Sequence, residues 1–191
     1  MVAYVDSDWA GDEVDRKSTA GTIVFYKGCP VAWGSKKVKS TVSLSSTEAE
    51  IHAIVDGLKS MVQLQPVIQE MGYDNPEFIS TIIGDNLPAM QILKGSKSTK
   101  RAKHFDVKVK FAMDSMERDV VGMLKVRSGD NIADPLTKPS ATPWFREFRG
   151  AVMAELSMTA DALSAREISF VERFGKCDKQ SGEARDLYFV D

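Results

Sequence analysis

Four carboxylates in this chain stand where an acid can do chemistry: Asp6, Glu50, Asp85 and Asp134. Asp6 closes a short apolar run at residues 2–5, and Asp85 closes a second one at 78–84. Glu50 falls in the first turns of a helix that begins near residue 46, and Asp134 precedes Pro135 at the start of another helix. Ligands of mixed α/β proteins gather beyond the carboxyl ends of strands, and converging carboxylates suit a hard divalent cation. The pattern points to a Mg²⁺ site. Taken singly, each residue has a plainer reading: Asp6 and Asp85 as turn residues, Glu50 as a first-turn acid favoured by the helix dipole, Asp134 as a helix cap.

The elements that would carry these residues are legible locally. Residues 2–5 read as a strand stopping at Asp6. Residues 21–26 are β-branched and aromatic, Gly28-Cys29-Pro30 is turn chemistry, and 31–33 resume an extended pattern, so a hairpin is expected. Ser45 and Glu48 are spaced as a capping box, and Ile51, Ile54, Val55 and Leu58 follow at helical intervals. That helix should run towards Gly72, with Pro66 ending or kinking it. Residues 78–84 suit a strand, 89–93 a short helix, 107–116 a helix and 120–126 a strand. Asp134 before Pro135 is the arrangement of an N-cap with proline at the first helical position. The apolar pattern thins near residue 154. The expected organisation is one domain over 1–155 and a partly helical appendage over 156–191.

Composition narrows the classes. The chain has 191 residues, 43% of them hydrophobic and 27% charged, with a net charge of -2. That is enough apolar material for one buried core. No stretch approaches the roughly 18 apolar residues of a membrane helix, and Asp6 arrives before a signal-peptide core could form. An intracellular chain is expected. Cys29 and Cys177 are far apart and form no CxxC, which argues against a disulfide framework or a thiolate metal cage. The near-neutral total hides a local excess: residues 94–127 carry ten Lys or Arg against four Asp or Glu, a potential phosphate-facing surface. The plainer reading of that segment is a solvated face. Trp9, Trp33 and Trp144 read as core or cover residues rather than stacking platforms. His52 reads as packed or solvent-facing.

Five ordered motifs carry a resemblance. They are Tyr4-Val5-Asp6-Ser7-Asp8-Trp9-Ala10-Gly11-Asp12 with Arg16-Lys17-Ser18-Thr19-Ala20-Gly21, then Ser43-Leu44-Ser45-Ser46-Thr47-Glu48-Ala49-Glu50, Gly84-Asp85-Asn86, Lys103-His104-Phe105-Asp106, and Asn131-Ile132-Ala133-Asp134-Pro135-Leu136-Thr137-Lys138-Pro139. Over about residues 2–150 the chain closely resembles the ribonuclease H domain of copia-type LTR retrotransposon polyproteins. The resemblance implies an α/β, ribonuclease H-like fold, a five-stranded mixed sheet (three antiparallel strands, then two parallel) flanked by helices. It also implies a catalytic and metal-binding quartet of Asp6, Glu50, Asp85 and Asp134. Glu50 is preferred to Glu48 because the family motif places the catalytic Glu last in Thr-Glu-Ala-Glu.

The implied activity is hydrolysis of the RNA strand of RNA:DNA hybrids with two Mg²⁺ ions, Mn²⁺ being an alternative. Two ions roughly 4 Å apart activate water and hold the leaving group. By analogy Asp6 bridges both ions, Glu50 and Asp85 ligate the nucleophile-side ion, and Asp134 the other. Ser7, Ser46, Thr47 and Asn86 are candidate nucleic-acid contacts, as are Arg101, Lys103 and His104. Many cellular ribonucleases H carry a His in a loop before the last Asp, but residues 127–131 contain none. A reverse transcriptase domain of the parent polyprotein is the implied protein partner, with no membrane, and a monomer is expected. The competing reading is a domesticated or relic domain that keeps the fold and binds nucleic acid or protein without cutting. An integrase-like strand-transfer enzyme fits the motifs poorly.

Overall fold

The computed structural model describes residues 1–12, 14–38, 45–72, 80–95, 103–119, 121–139 and 142–152. Arg101, Cys177, the residue-155 boundary, the appendage over 156–191 and most of residues 78–80 of the second β-run lie outside these residues. Among the described residues there are five strands: β1 (Val2–Asp8), β2 (Thr19–Tyr26), β3 (Cys29–Lys37), β4 (Thr81–Gly84) and β5 (Gly122–Lys125). Four α-helices accompany them: α1 (Ser46–Glu70), α2 (Leu87–Leu93), α3 (Lys103–Asp119) and α4 (Thr142–Val152). The strands form one sheet in the order β3-β2-β1-β4-β5. β1, β2 and β3 are antiparallel, whereas β4 and β5 run parallel to β1. This is the mixed sheet expected from the motifs.

β1 is longer than its apolar run suggests. It continues two residues past Asp6 because β2 keeps pairing with it through Asp6↔Gly21, Ser7↔Ala20 and Asp8↔Thr19. Its parallel ladder with β4 ends earlier, at Tyr4↔Ile83. Beyond that point the Val5 carbonyl is met by the Asn131 side chain. The β2–β3 turn also lies earlier than expected, at Lys27 and Gly28, whose φ angles are 49° and 74°. Both positive values match the tight hairpin turn whose twist suits antiparallel strands. Cys29 and Pro30 belong to β3, and a register shift follows between Val24 and Phe25. Pro30 is tolerated there because β3 is an edge strand.

Side chains alternate across the sheet, so β1 feeds two cores. Ala3 and Val5 join Ile51, Ile54 and Leu58 of α1, together with Ile82, Met90 and Met116. Tyr4 faces the other way with Ile23, Phe25, Ile83, Val126 and Ile132, against which Phe148 and Val152 of α4 pack. Each fully buried Ile, Leu or Val contributes about 1.5–3 kcal/mol of hydrophobic stabilisation. Gly57 lets α1 lie close to β1, since a Cβ there would stand 2.8 Å from Val5 Cγ1.

Pro66 neither ends nor breaks α1, which continues to Glu70. The carbonyl of Val62, which loses its partner at Pro66, belongs to an exposed residue where water can serve it, while Met61 and Ile68 anchor the buried face. Trp9 and Trp33 are 48% and 69% exposed, so the core reading fails for both. Trp33 sits on the edge strand β3. Among the described residues, no helix is long and apolar enough to cross a membrane.

Candidate metal centre

Asp6 lies on β1, Asp85 directly follows β4, and Glu50 is the fifth residue of α1. β1 and β4 are parallel neighbours, so their carboxyl ends coincide, and α1 packs over them with its N-terminal end at that same edge. One carboxylate oxygen from each of Asp6, Glu50 and Asp85 lies within 4.8 Å of the others. The sheet thus brings together three acids that are far apart in the chain.

Neighbouring groups hold these acids in place. The backbone N–H and Oγ of Ser7 donate to Glu50 Oε1 at 3.2 and 2.9 Å. Thr137 Oγ1 lies 2.5 Å from Asp6 Oδ2. Asn131 Nδ2 donates to the Val5 carbonyl at 2.8 Å and reaches Asp6 Oδ1 at 3.4 Å, while Asn131 Oδ1 accepts from the Ala133 N–H. Gly21, the ladder partner of Asp6, makes room for this loop: a Cβ there would meet Thr137 Cγ2 at 2.8 Å and Leu136 Cβ at 2.9 Å.

Burial and crowding raise the cost of ionising the cluster. Glu50 is pushed up to about 8, first by burial and then by the charges of Asp6 and Asp85, against the hydrogen bonds from Ser7. Asp6 is pushed up to about 6, again first by burial; Asp85 and Asp134 add to the rise, while Thr137 and Lys138 oppose it. A cation among these oxygens reverses that balance, because it favours the ionised form of each acid. An all-oxygen, carboxylate-rich donor set fits a hard divalent ion.

Asp134 departs from expectation. It does not cap an α-helix: it is the first residue of a 3₁₀ turn, Asp134–Leu136, whose N-cap is Ala133 and which has no side-chain cap. Pro139 disfavours helical backbone at Lys138, so the turn stays short, and the α-helix begins only at Thr142. The Asp134 carboxylate instead pairs with Lys138, Nζ to Oδ1 2.6 Å. Asp134 stands outside the group of three, yet near enough for its charge to act on Asp6.

Among the expected nucleic-acid contacts, Ser7 is engaged with Glu50. Ser46, exposed, and Thr47, half-buried, open α1. Ser45 Oγ caps that helix by accepting the Glu48 N–H at 3.2 Å, as its spacing predicts. Asn86 caps α2, its Oδ1 accepting from the Ala89 N–H at 3.0 Å. Lys103 and His104 fall in the first turn of α3, with their side chains outside the described residues. His52 is buried, its Nδ1 2.8 Å from Lys108 Nζ, so its packing role holds. Asn131, Thr137 and Lys138 are the functional neighbours that sequence reasoning left without a role. Their signal was present: three polar residues flanking Asp134 within one motif.

No family model matches the chain. It is similar to the retrovirus-related Pol polyprotein from transposon TNT 1-94 of Nicotiana tabacum, 34% identical over 138 residues, which cover 72% of this chain and 10% of that protein. It is also similar to the Pol polyprotein from transposon RE1 of Arabidopsis thaliana, 32% identical over 152 residues, 78% of this chain and 10% of that protein. The chain thus spans about a tenth of the length of these curated relatives. Among solved structures it is similar to ribonuclease H1 from Halobacterium salinarum, with a TM-score of 0.51 and 19% identity over 71% of this chain and 92% of that one. LC11 ribonuclease H1 in complex with an RNA/DNA hybrid gives a TM-score of 0.52 and 15% identity, over 71% of this chain and 92% of that one. At these identities the likeness shows the fold.

Proposed function

We propose that this chain, a homologue of one segment of retrotransposon Pol polyproteins built on the ribonuclease H fold, is a divalent-metal-dependent ribonuclease that cuts the RNA strand of RNA:DNA hybrids. The observation that carries the reading is the meeting of Asp6, Glu50 and Asp85 with their oxygens within 4.8 Å of one another. These three would hold one Mg²⁺, and Asp134 with Asp6 a second, with Mn²⁺ an alternative. When bound, the metal supplies activation of water and neutralisation of charge building on phosphorus.

The chain's own residues prepare that site. Ser7 fixes Glu50 Oε1 with two donors, and Thr137 and Asn131 fix the Asp6 carboxylate from the other side. Burial of Asp6 and Glu50 keeps bulk water from competing for their oxygens. Ser46 and Thr47 at the opening of α1 can meet phosphate and 2′-hydroxyl groups, the features by which hybrids are told from DNA. Asn86 has its Oδ1 committed to the cap of α2, which leaves the amide Nδ2 to act as a donor to phosphate. Arg101, Lys103 and His104 belong to the basic segment proposed to steer the backbone. A reverse transcriptase domain of the parent polyprotein is the proposed partner that presents the hybrid.

Cleavage of an end-labelled hybrid in Mg²⁺ tests the reading. Cutting is expected in the RNA strand, and Asp6→Asn and Asp85→Asn should each abolish it. Binding of hybrid without cutting, under metal and salt conditions that suit ribonucleases H, would establish the non-catalytic relic instead. Undiminished cutting by Asp6→Asn would refute the site.

A further inference from the structure

The acidic centre is divided. Asp6, Glu50 and Asp85 each bring a carboxylate oxygen within 4.8 Å of the others, whereas Asp134 is held by an ammonium 2.6 Å from its Oδ1. That ammonium, on Lys138, also feels the charges of Asp6 and Asp8. Its side chain is 51% exposed while that of Asp134 is 19% exposed, so the lysine reaches from solvent to a half-covered carboxylate. The arrangement is built into the chain. Thr137 ties the loop to Asp6, Pro135 lies within a single 3₁₀ turn that Pro139 follows, and Lys138 comes four residues after Asp134.

Resting on the reading of the quartet as a metal centre, we propose that Lys138 is a resident counter-ion for its Asp134 side. It occupies the carboxylate a second divalent ion needs. The protein therefore loads its first ion at Asp6, Glu50 and Asp85, and takes a second only by displacing Lys138. An ammonium and a divalent cation compete for the same oxygens, and a partly exposed ion pair is weak. The barrier is thus modest, and second-ion affinity is lowered about three- to tenfold relative to a neutral side chain at 138. Lys138 is a positioning residue in this role, acting on Asp134 rather than on the reacting atoms.

The test is direct Mn²⁺ binding to the full chain, followed by the loss of the free-ion electron paramagnetic resonance signal, which needs no substrate or turnover. Wild type should show one tighter and one weaker site. Lys138→Met should tighten the weaker site by about three- to tenfold and leave the tighter one within about twofold. Lys138→Arg should keep the wild-type pattern, because it retains the charge. In Lys138→Met, Asp134→Asn the second site should be lost. Equal tightening of both sites would show a general field effect and overturn the proposal, as would superimposable curves for wild type and Lys138→Met. Failure of wild type to bind Mn²⁺ at all would instead remove the metal-centre reading, and this inference with it. Lys138 is exposed, so its replacement should leave the fold intact, checked by circular dichroism.

Discussion

Thr137 Oγ1 and Asp6 Oδ2 are 2.5 Å apart, although the two residues are separated by 131 positions in the chain. Through this contact the loop carrying Asp134 is fastened to the strand carrying Asp6. The hydroxyl also lies 2.9 Å from the Asp134 carbonyl, so one side chain joins both halves of the acidic centre.

Thr137→Val keeps the shape of the side chain and removes the hydroxyl. A buried carboxylate that loses a donor costs about 1–3 kcal/mol, measurable as a lower urea midpoint at neutral pH. Asp6 would rise further, since Thr137 opposes its upward shift. The acid limb of the cleavage profile should therefore move to higher pH, with the rate reduced about tenfold. Unchanged stability and an unchanged pH profile together would show that the contact does nothing.

Stability without metal should depend on pH in a stated direction. In the fold Asp6 is pushed up to about 6 and Glu50 to about 8, both above the usual carboxyl range. The protonated forms are favoured by folding, so their contribution is complete below about pH 4 and lost as pH rises through the two folded values. In EDTA, Tm should fall from about pH 5 to about pH 9. Glu50→Gln should flatten the alkaline part of that fall, gaining about 1–3 kcal/mol near pH 8. Mg²⁺ should restore the wild type there. A metal-free Tm that rises over this interval would contradict the assignment.

Three glycines give a graded steric test. Gly21→Ala would drive a methyl to within 2.8 Å of Thr137 and 3.0 Å of the Ala133 carbonyl. The loop must move, at about 1–3 kcal/mol, and cutting should fall with it because Asp6 loses its tether. Gly57→Ala meets Val5 at 2.8 Å and should cost a similar amount by separating α1 from β1. Gly34→Ala meets nothing within 4 Å and should be close to neutral. Chemical denaturation of the three variants checks the order.

Pro66 lies on an exposed stretch of α1 and offers no N–H to the Val62 carbonyl. Pro66→Ala should stabilise the protein by about 1–2 kcal/mol, the helix-propensity gain less the added freedom of the unfolded chain. Cleavage should be unaffected, since the site lies at the other end of the helix. A lower Tm would mean that the proline ring makes packing contacts that outweigh the missing bond.

The motif order pointed to Asp6, Glu50, Asp85 and Asp134 as partners, of which the fold gathers the first three, and the local pattern located the hairpin, the Ser45 cap and the long helix. These signals are short-range: the period of apolar residues, a capping hydroxyl three residues from its N–H, and β-branched runs all act within a few positions. The sequence on its own also carried the residues of the loop around Asp134 without saying what they touch. Tertiary structure decided the rest. Strand order placed β4 beside and parallel to β1, so that Asp85, just after β4, comes next to Asp6. The apolar run of β1 could not reveal its last residues, because their pairing with β2 continues through polar side chains. Asp134 reads locally as a cap, yet it opens a 3₁₀ turn without a side-chain cap and its carboxylate pairs with Lys138. Contacts between residues more than a hundred positions apart leave no periodic trace in the chain, and only the folded sheet brings the carboxylates close enough for burial and like charge to shift them.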